Sequence, residues 1–420
     1  VLRHREFRLF WFSQSASVIG DSIVLVALAL FIVQLTGSAT DLGLVLAASA
    51  VPLVAFLLVG GVWADRLARE RVMITTDLAC FVLHALLALL IFTGTVRIWH
   101  VVLIEMFFGA AEAFFRPAAN GLLPQTVPEA DVQQATAITG MSRNISEFAG
   151  PALATALVLG VGAGWAFALD SVTFLVSAAC LAGIRVAPPD SAAGGTSATR
   201  DGQRPATVRS DIRDGYREVR SRVWVWGTLL AFCAGLFFCL APLFVLGPIV
   251  AREQYGHIAV YGYVGAALGL GTVLGSLAGI GWRPHHPMRA AMLVVLMWPC
   301  AGVLYAAGIT LAIVLPATVA AGVGLALFDT WWQTALAERI PADMLSRVTS
   351  YDWMVSLGLV PIGFVLAGPL ASALGADNVL LGGSALAFVA FTAGLLPRET
   401  RMLERTQAPA ESLGGVLEAP

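Results

Sequence analysis

The chain has 420 residues, 58% of them hydrophobic and 12% charged, with 25 basic against 27 acidic side chains. A mean hydropathy of +0.81 excludes a water-soluble domain of ordinary composition, and apolar runs recurring along the whole length exclude a single signal peptide or anchor. Every basic residue is an arginine, so neither a Walker-type phosphate loop nor a Schiff-base lysine can form, and the net charge of −2 singles out no class of partner.

Runs of roughly 17–25 apolar residues are long enough to cross a bilayer. They lie at 11–35, 42–63, 72–94, 98–118, 135–160, 163–184, 223–248, 258–282, 288–308, 310–336, 346–372 and 376–396. Backbone groups in lipid must be paired internally, and the alternation of a closed barrel is absent, so the spans are predicted as helices. The expectation is an all-α membrane protein of twelve transmembrane helices in two six-helix repeats, lying in the lipid bilayer. Gly, Ala and Ser at close intervals, as in YVGAALGLGTVLGSLAG (263–279), let such helices approach closely.

In chain order, the first half carries the ionisable residues. An ionisable group inside a span is expensive and normally faces a cavity or a partner. Asp21 falls near mid-depth of span one. Span two ends in GVWADRLARER (61–71), dense in charge. Span three holds His84, which is either a packing residue or a member of a proton relay. Glu105 and Glu112 share one face of span four, with Arg116 a turn beyond Glu112, and span five carries Arg143 and Glu147. Glu112 with Arg116, and Arg143 with Glu147, stand four apart and can pair along their own helices. Such pairs either staple spans four and five or leave a carboxylate free to carry a proton as access alternates; Asp21 and Glu105 suit the second role best, followed by Glu112 and Glu147. Asp170 in span six, like Asp329 and Asp352 later, is expected to be a gate or cap residue. The five cysteines lie in apolar spans without metal-site spacing, and read as small packing residues.

Residues 187–210 are polar and rich in Pro, Gly and Ser, a flexible linker. After them SDIRDGYREVRSRV (210–223) places Ile212, Tyr216, Val219 and Val223 at helical spacing, as in a helix lying on a membrane surface. The predicted organisation is a six-helix bundle over 1–184, a linker with this helix over 185–222, a second bundle over 223–396 and a short polar tail over 397–420. The second half is richer in aromatics than in buried charge. Phe237, Trp331, Gln333 and Trp353 are its candidates for lining a substrate cavity.

Two stretches recur: LPQTVPEADVQQATA (123–137) has a counterpart in AERIPADMLSRVTS (337–350), and FAGPALATAL (148–157) in LAGPLASAL (366–374). Parallel repeats predict a pseudo-twofold axis along the membrane normal with the substrate path between them. Of the 25 arginines, all but Arg97, Arg252, Arg116 and Arg143 fall on the side that holds both ends, which places both termini in the cytoplasm and the protein in the cell membrane.

GVWADRLARER resembles the loop between helices two and three of the major facilitator superfamily, Gly-x-x-x-Asp-Arg-x-Gly-Arg followed by Arg or Lys. Gly61, Asp65, Arg66 and Arg69 match; Ala68 stands at the second glycine and Glu70 at the last base, with Arg71 one place on. FRLFWFSQSASVIGDS near the start, FFRPAANGLLPQTVP (114–128), GMSRNISEFAGPAL (140–153) and DIRDGYREVR (211–220) are similar to the enterobactin-exporter-like branch of that superfamily, and the resemblance spans about 5–396. Gly150 and Pro151 keep part of the superfamily's antiporter motif, whose other glycines are here Ser146, Ala154 and Thr155. The resemblance implies the major facilitator fold, a small-molecule substrate, and proton antiport that exports an organic, partly hydrophobic compound such as a drug, siderophore or secondary metabolite. It also implies that Asp65, Arg66, Arg69 and Arg71 latch the cytoplasmic face; alternatively these arginines only fix topology. No cofactor, metal or nucleic acid is expected, and the expected state is a monomer. The alternatives are a lipid or lysolipid flippase, a proton-independent facilitator, or a receptor or scaffold that does not transport. An embedded enzyme is disfavoured, because no nucleophile and base pairing stands out.

Overall fold

The computed structural model describes residues 1–185 and 216–404, and describes the backbone but not the side chains of residues 57–66, 129, 342, 343, 345–347, 350 and 353. Its first half comprises α1 (Arg5–Thr36), α2 (Ala39–Arg66), α3 (Arg69–Phe92), α4 (Ile98–Leu122), α5 (Val132–Gly160) and α6 (Ala163–Ala182). Each is one crossing. Eleven helical stretches among the described residues are long and apolar enough to cross a membrane. The twelfth crossing is α5, whose N-terminal half carries Gln133, Gln134, Arg143, Asn144 and Glu147.

Three crossings of the second half are broken, each near a proline. The seventh consists of α7 (Val223–Gly235), a π turn over Leu236–Leu240 and α8 (Ala241–Tyr255). Pro242 has no N–H for the carbonyl four residues back, and the wider turn takes up the mismatch. After α9 (Ala259–Gly281), the ninth crossing divides into α10 (Pro287–Val295) and α11 (Met297–Ala306). Pro299 withholds a bond from Val295. Past α12 (Leu311–Arg339), the eleventh divides into α13 (Ala342–Gly358) and α14 (Val360–Leu374), where Pro361 withholds one from Leu357. The last crossing is α15 (Ala376–Gly394), followed by the short α16 (Arg398–Met402).

The repeat is visible in the backbone. Gly162, between the fifth and sixth crossings, has φ 103°, and Gly375, between the eleventh and twelfth, has φ 90°. They stand at the same offset as Pro128 and Pro341, and both use the left-handed freedom that glycine has for a tight turn.

Within the first half α1 packs on α5 and α6, α2 on α4, and α3 on α4 and α6; in the second half α12 packs on α9, α10 and α11, and α15 on α7 and α11. The halves meet mainly along α5 with α9 and α2 with α14. Their closest approaches need glycine. A Cβ at Gly262 of α9 would strike the Thr155 hydroxyl, one at Gly265 would strike Pro151, one at Gly43 of α2 the Phe364 carbonyl, and one at Gly368 of α14 the Thr40 backbone. All four lie toward the end remote from the termini. At the terminus-bearing end Gly140 of α5 and Gly281 of α9 face open space. The two halves are thus pressed together backbone to backbone at the far end.

Residues 216–221 are helical, with Val219 buried and Arg222 paired to Glu218 at 2.7 Å. The linker 186–215 and the tail beyond 404 lie outside the described residues.

Candidate functional site

Close helix packing brings the first half's polar residues together. Gly20 of α1 has no side chain, so the Asp170 carboxylate and Thr173 of α6 sit directly against the α1 backbone. On α4, Gly109 allows the same closeness to the Ser49 carbonyl of α2, drawing Glu105, one turn earlier, into the bundle.

His84 is the hub. Its Nδ1 hydrogen-bonds Asp170 across α3 and α6, and its Nε2 lies 3.9 Å from Glu105 Oε1. Its ring stacks on Phe108 at 4.6 Å and meets the edges of Phe167 and Phe174, and no water reaches His84 or Asp170, both 0% exposed. Neither His84 Nε2 nor Glu105 Oε1 has a hydrogen-bond partner. One face of α3 also carries Asp77, buried, whose Oδ2 accepts a 2.6 Å bond from Ser177; Ser177 in turn lies 2.7 Å from Ser13 of α1.

Asp21 follows Gly20, with Oδ1 buried and without a hydrogen-bond partner. Glu112 takes a 3.0 Å bond from Arg116 Nε, as the spacing of four predicts. The second expected pair does not close, since Arg143 and Glu147 form no ion pair among the described residues. Glu147 instead borders the space between the halves, where its backbone meets Gly269 of α9.

That space is a cavity of about 290 Å³. Ser22, Glu147 and Pro151 face it from the first half; Phe244, Tyr261, Trp298, Tyr305 and Thr318 face it from the second, among mostly apolar neighbours. Glu147 is its one titratable carboxylate among the described residues. A smaller cavity of about 90 Å³ lies within the second half between α7, α12 and α13.

The second-half candidates part company. Gln333 borders the smaller cavity. Trp331 is turned into the core, donating its indole N–H to the Trp282 carbonyl at 3.1 Å, and Phe237 packs against Gly363 of α14. Neither borders either cavity. The side chains of Trp353, and of Asp65 and Arg66 in the loop motif, lie outside the described residues, as do the surroundings of Gly61. Arg69 donates to the Gly121 carbonyl at the end of α4, tying α3 to α4, and Arg71 is exposed. Asp77 is a site residue that the sequence reading missed, although it lies inside span three, seven positions before His84 and so on the same helix face. Of the lining residues, Trp298 is among the second-half aromatics that the sequence offers for a cavity, whereas Tyr261 and Tyr305 carry no mark beyond their apolar spans.

Twelve crossings in two repeats around an interior cavity define a polytopic small-molecule transporter. The comparisons name the family. Residues 10–358 match the sequence model of the Major Facilitator Superfamily, and the chain belongs to that superfamily. Macrolide efflux protein A of Streptococcus pyogenes is 23% identical over 407 residues, 95% of this chain and 97% of that protein. Enterobactin exporter EntS of Escherichia coli O1:K1 / APEC is 25% identical over 349 residues, 82% of this chain and 78% of that protein. Among solved structures, the nucleoside transporter NupG superposes with a TM-score of 0.70 at 11% identity, over 93% of this chain and 98% of that one. A bacterial homologue of the human lysosomal transporter Spinster, inward-facing and unoccupied, does so at 0.69 and 15%, over 97% and 99%. At these identities the structural likeness concerns the fold.

Proposed function

We propose that the protein exports an organic, partly hydrophobic compound from the cell in exchange for protons. The cargo occupies the cavity between the halves, which the apolar walls of that cavity and its few polar groups suit. Both termini are cytoplasmic by the arginine distribution, so the end where the halves are pressed together is the outward gate and cargo enters from the cytoplasm. The efflux proteins among the relatives favour this direction.

One observation carries the coupling. Asp21 Oδ1, His84 Nε2 and Glu105 Oε1, on three helices of one half, are buried with no hydrogen-bond partner. Buried polar atoms are nearly always satisfied, so three unfilled ones beside a surplus of carboxylates supply both a place for a proton and a reason to bind it. Coupling follows if proton and cargo favour different states, since tight binding alone shifts nothing.

In proteoliposomes with an imposed pH gradient, Asp21→Asn abolishes gradient-driven transport while the protein remains folded in the membrane. Full transport by that variant at every pH tested removes Asp21 from the mechanism. Equal transport by the unaltered protein with and without a gradient replaces the antiporter with a facilitator.

A further inference from the structure

The smaller cavity has a chemistry of its own. Asp329 on α12 and Asp352 on α13 both border it. Asp352 is held in place, its Oδ2 accepting the Trp332 indole N–H at 2.9 Å and its Oδ1 the Ser356 hydroxyl at 3.3 Å. Among the described residues no basic side chain pairs with either carboxylate. A third group points to a ligand independently of the acids. Thr228 of α7 borders the same cavity, is 1% exposed, and its Oγ1 has no hydrogen-bond partner. The remaining wall is aromatic, formed by Phe232 and Phe328 stacked at 4.8 Å and 6°.

Two carboxylates without a cation among the described residues, an idle hydroxyl and a pair of aromatic rings together favour an alkylammonium ion. The carboxylates and the hydroxyl accept its N–H groups, and the rings attract its positive charge and pack on its carbons. An inorganic cation has no carbons to pack on the rings and must shed tightly held water to reach them, so it gains less there. The cavity's place adds a body to this head. Both cavities lie along the seventh crossing and α12, with Ala321 bordering the larger and Phe328 the smaller. At the helical rise those positions are about 10 Å apart, a distance that an amine with a hydrophobic body spans.

We propose that the cavity between α7, α12 and α13 binds the ammonium group of an organic amine, and that the cargo is an organic cation whose apolar part extends into the central cavity. This rests on the reading of the chain as a transporter of organic compounds, but it concerns binding and needs no proton gradient.

Dansylcadaverine, a primary ammonium joined by a flexible spacer to a fluorescent apolar body, is the probe; its N-acetyl derivative keeps the body and loses the charge. Binding to the full-length protein in nanodiscs is followed by fluorescence anisotropy. The unaltered protein binds dansylcadaverine saturably and at least tenfold more tightly than the acetylated probe. D329N and D352N each erase most of that preference while leaving binding of the acetylated probe unchanged, which also shows that they are folded; Thr228→Val lowers it several-fold. The proposal is overturned if the two probes bind alike or neither binds saturably, if both Asn variants keep the preference, or if Glu147→Gln in the larger cavity abolishes it instead. Loss of gradient-driven transport in Asp21→Asn with the preference intact separates the coupling reading from this one.

Discussion

His84 on α3 and Asp170 on α6 are hydrogen-bonded to each other where neither touches solvent, and they join the two helices that pack along most of their length. Removing one partner of a buried hydrogen bond leaves the other unsatisfied, which costs about 1–3 kcal/mol. We expect His84→Ala and Asp170→Ala each to lower unfolding stability in detergent by that order, and the double variant to lose clearly less than the two combined. Strict additivity would show that the contact contributes nothing.

A side chain at Gly262 meets the Thr155 hydroxyl across the two halves. Gly262→Val therefore wedges the far end apart. A clash of about 2 kcal/mol shifts a two-state population about 30-fold. Spin labels at positions 95 and 254, exposed on opposite halves at the far end, should move apart in this variant, with Cys300 replaced by serine, and transport should fall. An unchanged distance distribution would show that the seal does not depend on this contact.

Ser177 satisfies Asp77 at 2.6 Å. Ser177→Ala strands a buried carboxylate oxygen and is expected to cost about 1–3 kcal/mol. Asp77→Asn keeps an acceptor for the same hydroxyl and should cost less. Thermal unfolding of the two variants in one detergent measures the order, and the reverse order contradicts it.

Arg69 and Arg71 belong to the same charged loop but differ in place. Arg69 bonds the Gly121 carbonyl, whereas Arg71 is exposed. Loss of a hydrogen bond from a charged group costs about 1.5–3 kcal/mol, so Arg69→Ala should speed amide exchange over residues 118–122 and Arg71→Ala should not. Hydrogen exchange read by mass spectrometry decides.

Much of the fold is legible because a bilayer demands long apolar helices, which leave an unmistakable trace. Span six, read as 163–184, is Ala163–Ala182, and span eight, read as 258–282, is Ala259–Gly281. Span one, read from residue 11, starts at Arg5 because the helix continues past the apolar stretch among charged residues. The breaks at Leu296 and Leu359 follow from Pro299 and Pro361, but proline also sits within unbroken helices here, as Pro52 does in α2. Whether a proline breaks a helix depends on its neighbours.

The site is legible only where one helix contains it. The spacing of Glu112 and Arg116 predicts their bond, yet the same spacing leaves Arg143 and Glu147 apart, with Glu147 bordering the cavity between the halves. His84 and Asp170 are 86 positions apart in sequence, and only the glycine-lined approach of α1, α3 and α6 makes them partners. Trp331 shows the converse: an aromatic on a span has no sign of which way it points, and this one bonds a backbone carbonyl in the core.

The far-end seal consists of glycines pressed on backbone, a proline ring and a hydroxyl, contacts held by dispersion at short range. Mobile ions act on exposed charges and leave such contacts largely alone. Opening of the far end should therefore be as easy in concentrated brine as in dilute buffer, so that the ionic strength around the protein leaves its switching untouched.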